Sequence, residues 1–262
     1  MLRLLIFCLT VFFTLYCRAE SNGAELITIE SDGVQRYALV YTPRSNFRTP
    51  RPLVFVFHGR GGSMHGISKK IDIHNFWAEA IVVYPQGMWC EGGYRDGLGW
   101  VINDTEDEGR DIRFFDVLLE YLLKNYDVDS SNIFATGHSN GGGFTYALWA
   151  LRGDKFKGFA PSASSSHRLG ENAQKRVPKP VFIMAGELDE IVKIDRVRRD
   201  VAEAKRINGC TDSPSKFTEA TTIYYGENGA DVVDAIHPFG HEIQRDMLHE
   251  MVDFFKYLYN RK

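Results

Sequence analysis

One stretch of the sequence decides the fold: Asn132-Ile133-Phe134-Ala135-Thr136-Gly137-His138-Ser139-Asn140-Gly141-Gly142-Gly143-Phe144. A short apolar strand ends in Gly-His-Ser-Asn-Gly, and a run compatible with a helix follows without a spacer. A strand, a sharp turn and a helix form the context of a G-x-S-x-G nucleophile elbow, which exposes its central serine. Gly137 and Gly141 fit this turn because strand and helix backbones approach closely there, leaving no room for a Cβ. The stretch predicts Ser139 as a nucleophile; the simpler alternative is an ordinary serine in a glycine-rich turn.

Length and composition indicate one globular α/β domain, which we assign to residues 20–262. The chain has 262 residues, of which 44% are hydrophobic and 25% charged, typical of a single large domain. Its net charge of −3 predicts no basic surface for nucleic acid. No set of His, Cys, Asp and Glu residues has the spacing of metal ligands, so we expect neither a metal nor another cofactor.

The first nineteen residues have the pattern of a secretory signal peptide. Arg3 supplies a positive charge, residues 4–16 are apolar apart from two threonines, and Cys17-Arg18-Ala19 offers small residues at the cleavage positions. The apolar run is shorter than the about 20 residues that span a bilayer, which disfavours a retained anchor. We therefore expect a secreted or periplasmic protein that leaves the membrane after cleavage.

Cleavage at this site would leave two cysteines, Cys90 and Cys210. An even number of cysteines in an oxidising compartment favours a disulfide between them. Two unpaired thiols are the alternative, because the sequence does not place their Cα atoms.

Strand-like and helical patterns alternate along the chain after an antiparallel opening. The opening is predicted by alternating segments at 26–29 and 36–41, which flank the turn Ser31-Asp32-Gly33. Apolar runs then predict buried strands at 53–57, 80–84, 132–136, 156–160, 180–185 and 221–225, and helical spacing predicts helices at 111–126, 144–151, 194–207 and 243–259. This order favours a mostly parallel sheet with helices on both faces and a ligand site beyond the carboxyl ends of its strands.

An elbow serine needs a base to take its proton and an acid to orient that base. In α/β-hydrolases the acid and then the histidine follow the serine along the chain, each after a later strand. Asp189 follows the strand at 180–185 and is preferred over Glu187, Glu190 and Asp195. His241 lies between the last predicted strand and the last helix, with His237 as its competitor.

Two backbone N–H groups should hold the negative oxygen of the tetrahedral intermediate. One belongs to Asn140, the residue after the nucleophile, and the other should come from the loop His58-Gly59-Arg60-Gly61-Gly62 after the strand at 53–57. Arg60 is the expected second donor, and His58 is expected to brace this loop. The glycine spacing matches neither of the common phosphate-binding motifs.

A long loop from Trp89 to Gly109 is rich in glycine, tryptophan and acidic residues. Loops of this length in compact domains are often functional. We predict that Trp89 and Trp100 contribute to a substrate wall; the alternative is that they pack the loop onto the body of the protein.

Several short motifs together resemble the secreted polyhydroxybutyrate depolymerase-like esterases, which include feruloyl and acetyl xylan esterases of carbohydrate esterase family one. The resemblance runs from about Arg36 onward and rests on the loop at 58–62, the elbow, Tyr84-Pro85-Gln86-Gly87, Tyr126-Asp127-Val128-Asp129, Gly186-Glu187-Leu188-Asp189 and Asn208-Gly209-Cys210. It implies an α/β-hydrolase fold with Ser139, Asp189 and His241 as catalytic triad. The chain departs from the family pattern at Arg60, at Glu190 and at Glu242-Ile243, around the expected substrate pockets.

The expected function is that of a secreted serine esterase that removes feruloyl or acetyl groups from plant cell-wall polysaccharide. Its partner would be an ester-bearing small molecule or polysaccharide, and the sequence does not indicate an oligomeric state. The alternatives are a polyester depolymerase or a peptidase on the same scaffold, or a carbohydrate-binding protein without turnover.

Overall fold

The computed structural model describes residues 20–21, 23–43, 50–92, 95–103 and 109–261. The predicted signal peptide and the acidic residues 104–108 lie outside these ranges. The strands are β1 (Glu20–Ser21), β2 (Ala24–Ser31), β3 (Val34–Tyr41), β4 (Arg51–Phe57), β5 (Ile81–Pro85), β6 (Met88–Cys90), β7 (Gly97–Gly99), β8 (Val128–His138), β9 (Gly158–Ser162), β10 (Val181–Gly186), β11 (Ser215–Lys216), β12 (Thr222–Tyr224) and β13 (Val232–His237). The helices are α1 (Met64–Lys70), α2 (Ile73–Phe76), α3 (Arg110–Asn125), α4 (Asn140–Arg152), α5 (Ile194–Ile207) and α6 (Arg245–Asn260), with 3-10 turns at Gly153–Lys155, Ser166–Lys175 and Glu227–Gly229.

The central sheet confirms the predicted mostly parallel architecture. Within the described residues it has eleven strands in the order β1-β2-β3-β5-β4-β8-β9-β10-β13-β12-β11. The strands from β5 to β13 in this order are parallel, and those at the two sides are antiparallel. The parallel strands have buried runs such as Leu53–Phe57 because both of their faces are covered.

Helices cover both faces of the sheet, as the alternating pattern predicts. The apolar sides of α3, α4 and α5 pack on one face around Phe115, Trp149 and Val197. On the other face α1, α2 and α6 contribute Ile67, Ile73 and Phe254 to a second core. No helix in the described ranges is both long enough and apolar enough to cross a bilayer.

The last part of the sheet differs from the prediction. The run predicted at 221–225 forms only the short antiparallel strand β12, whereas the parallel strand next to β10 is β13, which the sequence did not reveal. Each residue of β10 has a partner in β13, from Val181 with Val232 to Gly186 with His237. Asp234 interrupts the apolar pattern of β13, which hid this strand from a search for continuous apolar runs.

The predicted disulfide between Cys90 and Cys210 is wrong, because both thiols are free. Cys90 lies in β6, beyond the carboxyl end of β5, where its sulfur contacts Arg110. Cys210 follows α5 and contacts the carbonyl of Ala230, just before the amino end of β13. The two residues therefore lie at opposite edges of the sheet, too far apart for an S–S bond.

A buried ion pair ties the antiparallel side of the sheet to α3. Asp111 has a fully buried side chain and accepts hydrogen bonds from Arg36 Nη2 at 2.7 Å and from the backbone N–H of Val101 at 2.8 Å. Arg110 Nη2 adds a contact at 3.1 Å. The Arg36 guanidinium lies over the ring of Phe114, 3.9 Å from its centroid. Among the described residues, Asp111 is the acid that pairs with it.

Asp111→Ala should lower the free energy of unfolding by about 3–5 kcal/mol, because it leaves the charge of Arg36 buried without a partner. The matched control is Asp116→Ala on the same helix. Its partner, Arg152, is 31% exposed and Asp116 is 39% exposed, so this loss should be at most about 1 kcal/mol. Urea unfolding measures both values, and equal losses would contradict the assignment.

Candidate active site

The predicted functional residues meet at one edge of the sheet. Ser139 directly follows β8, and the loop at 58–62 follows the neighbouring strand β4. Asp189 and His241 follow β10 and β13, which are also neighbours. Because all four strands are parallel, their carboxyl ends share one edge, which is where ligands bind in sheets of this type.

Ser139 has a strained backbone, as a nucleophile elbow requires. Its φ of 57° and ψ of −117° lie outside the regions that residues with a side chain usually adopt. Two hydrogen bonds hold it there: its N–H donates to Ser162 O at 2.9 Å, and its carbonyl accepts from Gly143 N at 2.9 Å. The turn therefore fixes Ser139 between strand and helix.

Gly137 and Gly141, near Ser139, lie where neighbouring backbones leave no room for a Cβ. A Cβ on Gly141 would overlap the carbonyl of Phe57 in β4, and a Cβ on Gly137 would lie 2.5 Å from Gly141 O. Strand β4, strand β8 and helix α4 therefore approach each other with no side chain between them, as predicted for Gly137 and Gly141.

Asp189 and His241 are joined by a hydrogen bond of 2.7 Å between Oδ2 and Nδ1. Asp189 is 4% exposed, and its other oxygen accepts from the backbone N–H groups of Ile191 and Val192, each at 2.8 Å. Because a carboxylate can only accept, Nδ1 of His241 carries the proton and donates the hydrogen bond to Asp189. In the neutral imidazole Nε2 then carries the lone pair.

Two cavities meet at Ser139. The first, of about 440 Å³, is lined by His241 and by residues of the loop at 58–62, among them Arg60. The second, of about 280 Å³, is lined by Arg60, Asn140, His167 and Ile191 on the other side of the serine. Ser139 and His241 thus share the first cavity, but no hydrogen bond between Ser139 Oγ and His241 is present among the described residues. Such contacts often tighten only when substrate binds.

The two predicted oxyanion donors lie beside the serine. Gly59 is so close that a Cβ there would lie 3.4 Å from Ser139 Cβ, and Arg60 follows it and lines both cavities. Within the described ranges neither Arg60 N–H nor Asn140 N–H donates to a protein acceptor. Both can therefore donate to a ligand.

His58 braces the loop, as expected, and its tautomer is fixed by its partners. Nε2 accepts from Gly87 N–H at 2.9 Å, so Nδ1 carries the proton and donates to Gly59 O at 2.8 Å. Burial lowers the pKa of His58, which keeps the imidazole neutral.

The prediction that Trp100 lines a substrate wall is wrong, because this side chain is 1% exposed. Its ring stacks on Phe144, and its Nε1–H donates to His58 O at 2.9 Å. The Asn140 side chain accepts from Trp100 N–H at 2.7 Å and donates to Trp100 O at 3.0 Å. Trp100 therefore joins the elbow to the loop at 58–62. Trp89 is 58% exposed and lines neither cavity.

Two further histidines lie next to the Asp189–His241 pair. His237, the competitor of His241, ends β13 and is 2% exposed; its Nδ1 accepts from Phe239 N–H, and it lines neither cavity at Ser139. The ring of His138 lies 5.0 Å from that of His241, centroid to centroid, and its Nδ1 is buried without a partner among the described atoms. Burial, followed by the charges of His241 and Lys70, lowers the pKa of His138 to about 3.

Residues 110–171 match a family model described as the prolyl oligopeptidase family. This segment contains α3, β8, the elbow and α4. It covers less than a quarter of the chain, so it identifies the serine hydrolase core and no more.

Curated relatives and solved structures extend the similarity to most of the chain. Feruloyl esterase D of Neurospora crassa is 26% identical over 246 residues, which cover 86% of this chain and 80% of that protein. Feruloyl esterase C of Emericella nidulans is 30% identical over 53% of this chain. The structure of an acetyl xylan esterase from Aspergillus awamori superimposes with a TM-score of 0.68 over 88% of this chain and 99% of that one, at 15% identity. The chain thus has an α/β-hydrolase fold and is similar in sequence to feruloyl esterases and in structure to an acetyl xylan esterase.

The matched lengths show which part of these esterases is shared. The similarity to the Emericella nidulans protein spans 45% of its length, whereas the Neurospora crassa protein is matched over 80%. Two of the three comparisons therefore cover most of this chain, and the third covers about half of it.

Sequence reasoning missed several residues that line the esterase site. Lys70 and Arg95 line the first cavity, and Arg168 and Arg196 line the second. They lie on α1, before β7, in the 3-10 turn and on α5, and no local motif marks them. Only the fold brings them to the serine.

The low pKa of His138 predicts a stability loss in acid. In the unfolded chain His138 binds a proton near pH 6.5, whereas in the folded state it does so only near pH 3. Its contribution to the free energy of unfolding is therefore fully present above about pH 6.5 and is lost as the pH falls. Between pH 7 and pH 5 this residue should remove about 2 kcal/mol. Urea unfolding of wild type and His138→Gln at the two pH values measures the difference.

The matched control is His65→Gln, because His65 is exposed and its imidazole meets water in both states. It should keep the pH slope of the wild type, whereas His138→Gln should lose the part of the slope that His138 contributes. A His138→Gln slope equal to that of the wild type would show that protonation of this histidine is not coupled to folding.

Proposed function

We propose that the chain is a secreted serine carboxylic-ester hydrolase that removes feruloyl or acetyl groups from plant cell-wall polysaccharide. The observation that carries this proposal is the hydrogen bond of 2.7 Å between Asp189 and His241, at the cavity that holds the strained Ser139. The names of the feruloyl and acetyl xylan esterase relatives support the substrate class. The predicted signal peptide at residues 1–19 supports secretion.

In this mechanism Ser139 Oγ attacks the ester carbonyl while Nε2 of His241 takes its proton. Asp189 holds the Nδ1–H tautomer of His241 and stabilises the imidazolium that forms. The backbone N–H groups of Arg60 and Asn140 donate to the developing oxyanion, each contributing ~2.7–4 kcal/mol. The alcohol leaves with the proton from His241, and water then releases the acid from the acyl-enzyme by the same route.

Ser139→Ala should lower kcat/KM for p-nitrophenyl acetate and methyl ferulate by at least about a thousandfold, because it removes the nucleophile. Asp189→Asn should lower kcat by about ten-thousandfold, because an amide favours the wrong tautomer of His241. Initial rates and labelling by a fluorophosphonate measure these effects. Ser130→Ala, at the opposite edge of the sheet, is the matched control and should be fully active and fully labelled.

A wild-type protein that hydrolyses neither ester would contradict the esterase proposal. The second candidate is a peptidase, because residues 110–171 match the prolyl oligopeptidase family. Cleavage of peptide p-nitroanilides that is lost in Ser139→Ala, without ester hydrolysis, would establish that candidate instead.

The proposed signal peptide can be tested by its cleavage. Expression of the full sequence in a secreting host should release a protein that begins near Glu20, because small residues precede this position. N-terminal sequencing of the culture fluid identifies the first residue. Retention of Met1 in an intracellular product would contradict the proposed secretion.

A further inference from the structure

Positively charged side chains surround Ser139, although the whole chain has a net charge of −3. Lys70 and Arg95 line the first cavity, Arg168 and Arg196 line the second, and Arg60 lines both. Among the residues that the structure describes, no aspartate or glutamate lines either cavity. The described side chains that line the two cavities therefore carry a positive charge, opposite in sign to the net charge of the molecule.

These cations are not neutralised by carboxylates of the described residues. Arg95 Nη2 donates to the carbonyl of Arg60 at 3.1 Å, and Arg196 Nη1 lies 3.0 Å from His167 Nε2. Neither contact removes a positive charge. In the described ranges no ion pair joins any of the five to an acid; the pairs found involve other cations.

Two buried acids near the cavities, Asp189 and Asp200, are already hydrogen-bonded within the protein. Asp189 accepts three hydrogen bonds, from His241 and from two backbone N–H groups. Asp200 lies buried beneath the second cavity and accepts from Ser166 N–H at 3.0 Å and Ser166 Oγ at 2.6 Å. Their oxygens are taken up by these hydrogen bonds, so neither acid forms an ion pair with a cavity arginine. Asp200 still acts against the arginines at His167, because its charge raises the pKa of that histidine.

The pKa of His167 reflects the arginines around it. Burial lowers the pKa of His167, and the charges of Arg196 and Arg168 lower it further. A positive potential disfavours a second positive charge and favours an anion. Three guanidinium groups, those of Arg60, Arg168 and Arg196, line the second cavity, and this fork-shaped group suits two-point binding of a carboxylate.

We propose that the preferred substrate is an anionic ester, whose additional carboxylate binds to Arg168 and Arg196 in the second cavity. This inference rests on the proposed ester hydrolysis and narrows its substrate class. The carboxylate could belong to the acyl group, as in a half-ester of a dicarboxylic acid, or to the alcohol, as in an ester of a uronic acid sugar. Both sources present the same chemistry to the arginines.

Two matched pairs of esters test the proposal and distinguish the sources. On the acyl side, mono-p-nitrophenyl adipate is compared with p-nitrophenyl hexanoate, which has the same chain length without the charge. On the alcohol side, p-acetoxybenzoate is compared with its methyl ester. Wild-type kcat/KM should be higher for the anionic member of at least one pair by about tenfold at low ionic strength, and the advantage should shrink in high salt.

Arg168→Gln and Arg196→Gln should each lower kcat/KM for the preferred anionic ester by about tenfold, mainly through KM. The uncharged partner ester should change by less than about twofold. Lys124→Gln is the matched control, because it removes one positive charge from an exposed position on α3 and should change neither ester. Lys70→Gln, in the first cavity, should have a smaller effect than either arginine variant.

Equal wild-type values for charged and uncharged esters would overturn the inference and leave the proposed esterase function intact. Arginine variants that lower both members of a pair alike would overturn it as well, as would a dominant effect of Lys70→Gln. If the wild type hydrolyses none of the four esters, the proposed function fails and the inference falls with it.

Discussion

The structure depends on the close approach of three backbones at the elbow. Strand β8, the first turn of α4 and the end of β4 approach so closely that Gly141 meets the carbonyl of Phe57 directly. This contact holds Ser139 in its strained conformation and places the loop at 58–62 beside it. The Asn140 side chain extends this contact, because it accepts from the N–H of Trp100 and donates to its carbonyl. The indole N–H of Trp100 in turn donates to His58 O. Nucleophile and oxyanion loop thus form one connected unit.

The features that could be predicted from the sequence are those with a local signal. The elbow is identified by five consecutive residues, and buried strands such as Leu53–Phe57 are continuous apolar runs. Asp189 and His241 follow from chain order once the elbow is recognised, and the structure joins them by a hydrogen bond. Helices α3, α5 and α6 have strong amphipathic spacing and were predicted to within a few residues.

The features that were missed depend on contacts between distant residues. Strand β13 contains Asp234, so only its pairing with β10 identifies it. The pairing of Cys90 with Cys210 was inferred from their number, whereas the sheet separates them. Trp100 looks like a surface aromatic in a polar loop, but Phe57 and Phe144 bury its ring. The cations around Ser139 come from separate elements, and their shared position is a property of the fold alone.

The position of β13 in the chain has a consequence for biosynthesis. The proposed nucleophile and oxyanion loop come from β4, β8 and α4, which are translated early, whereas the proposed base His241 follows β13, close to the last helix. Because a domain generally folds as a unit, the strained turn at Ser139 and the proposed base His241 come together only after β13 has been synthesised. The proposed triad is then completed when β13 pairs with β10, at the end of synthesis. A truncated translation product that lacks this strand would carry an inert serine.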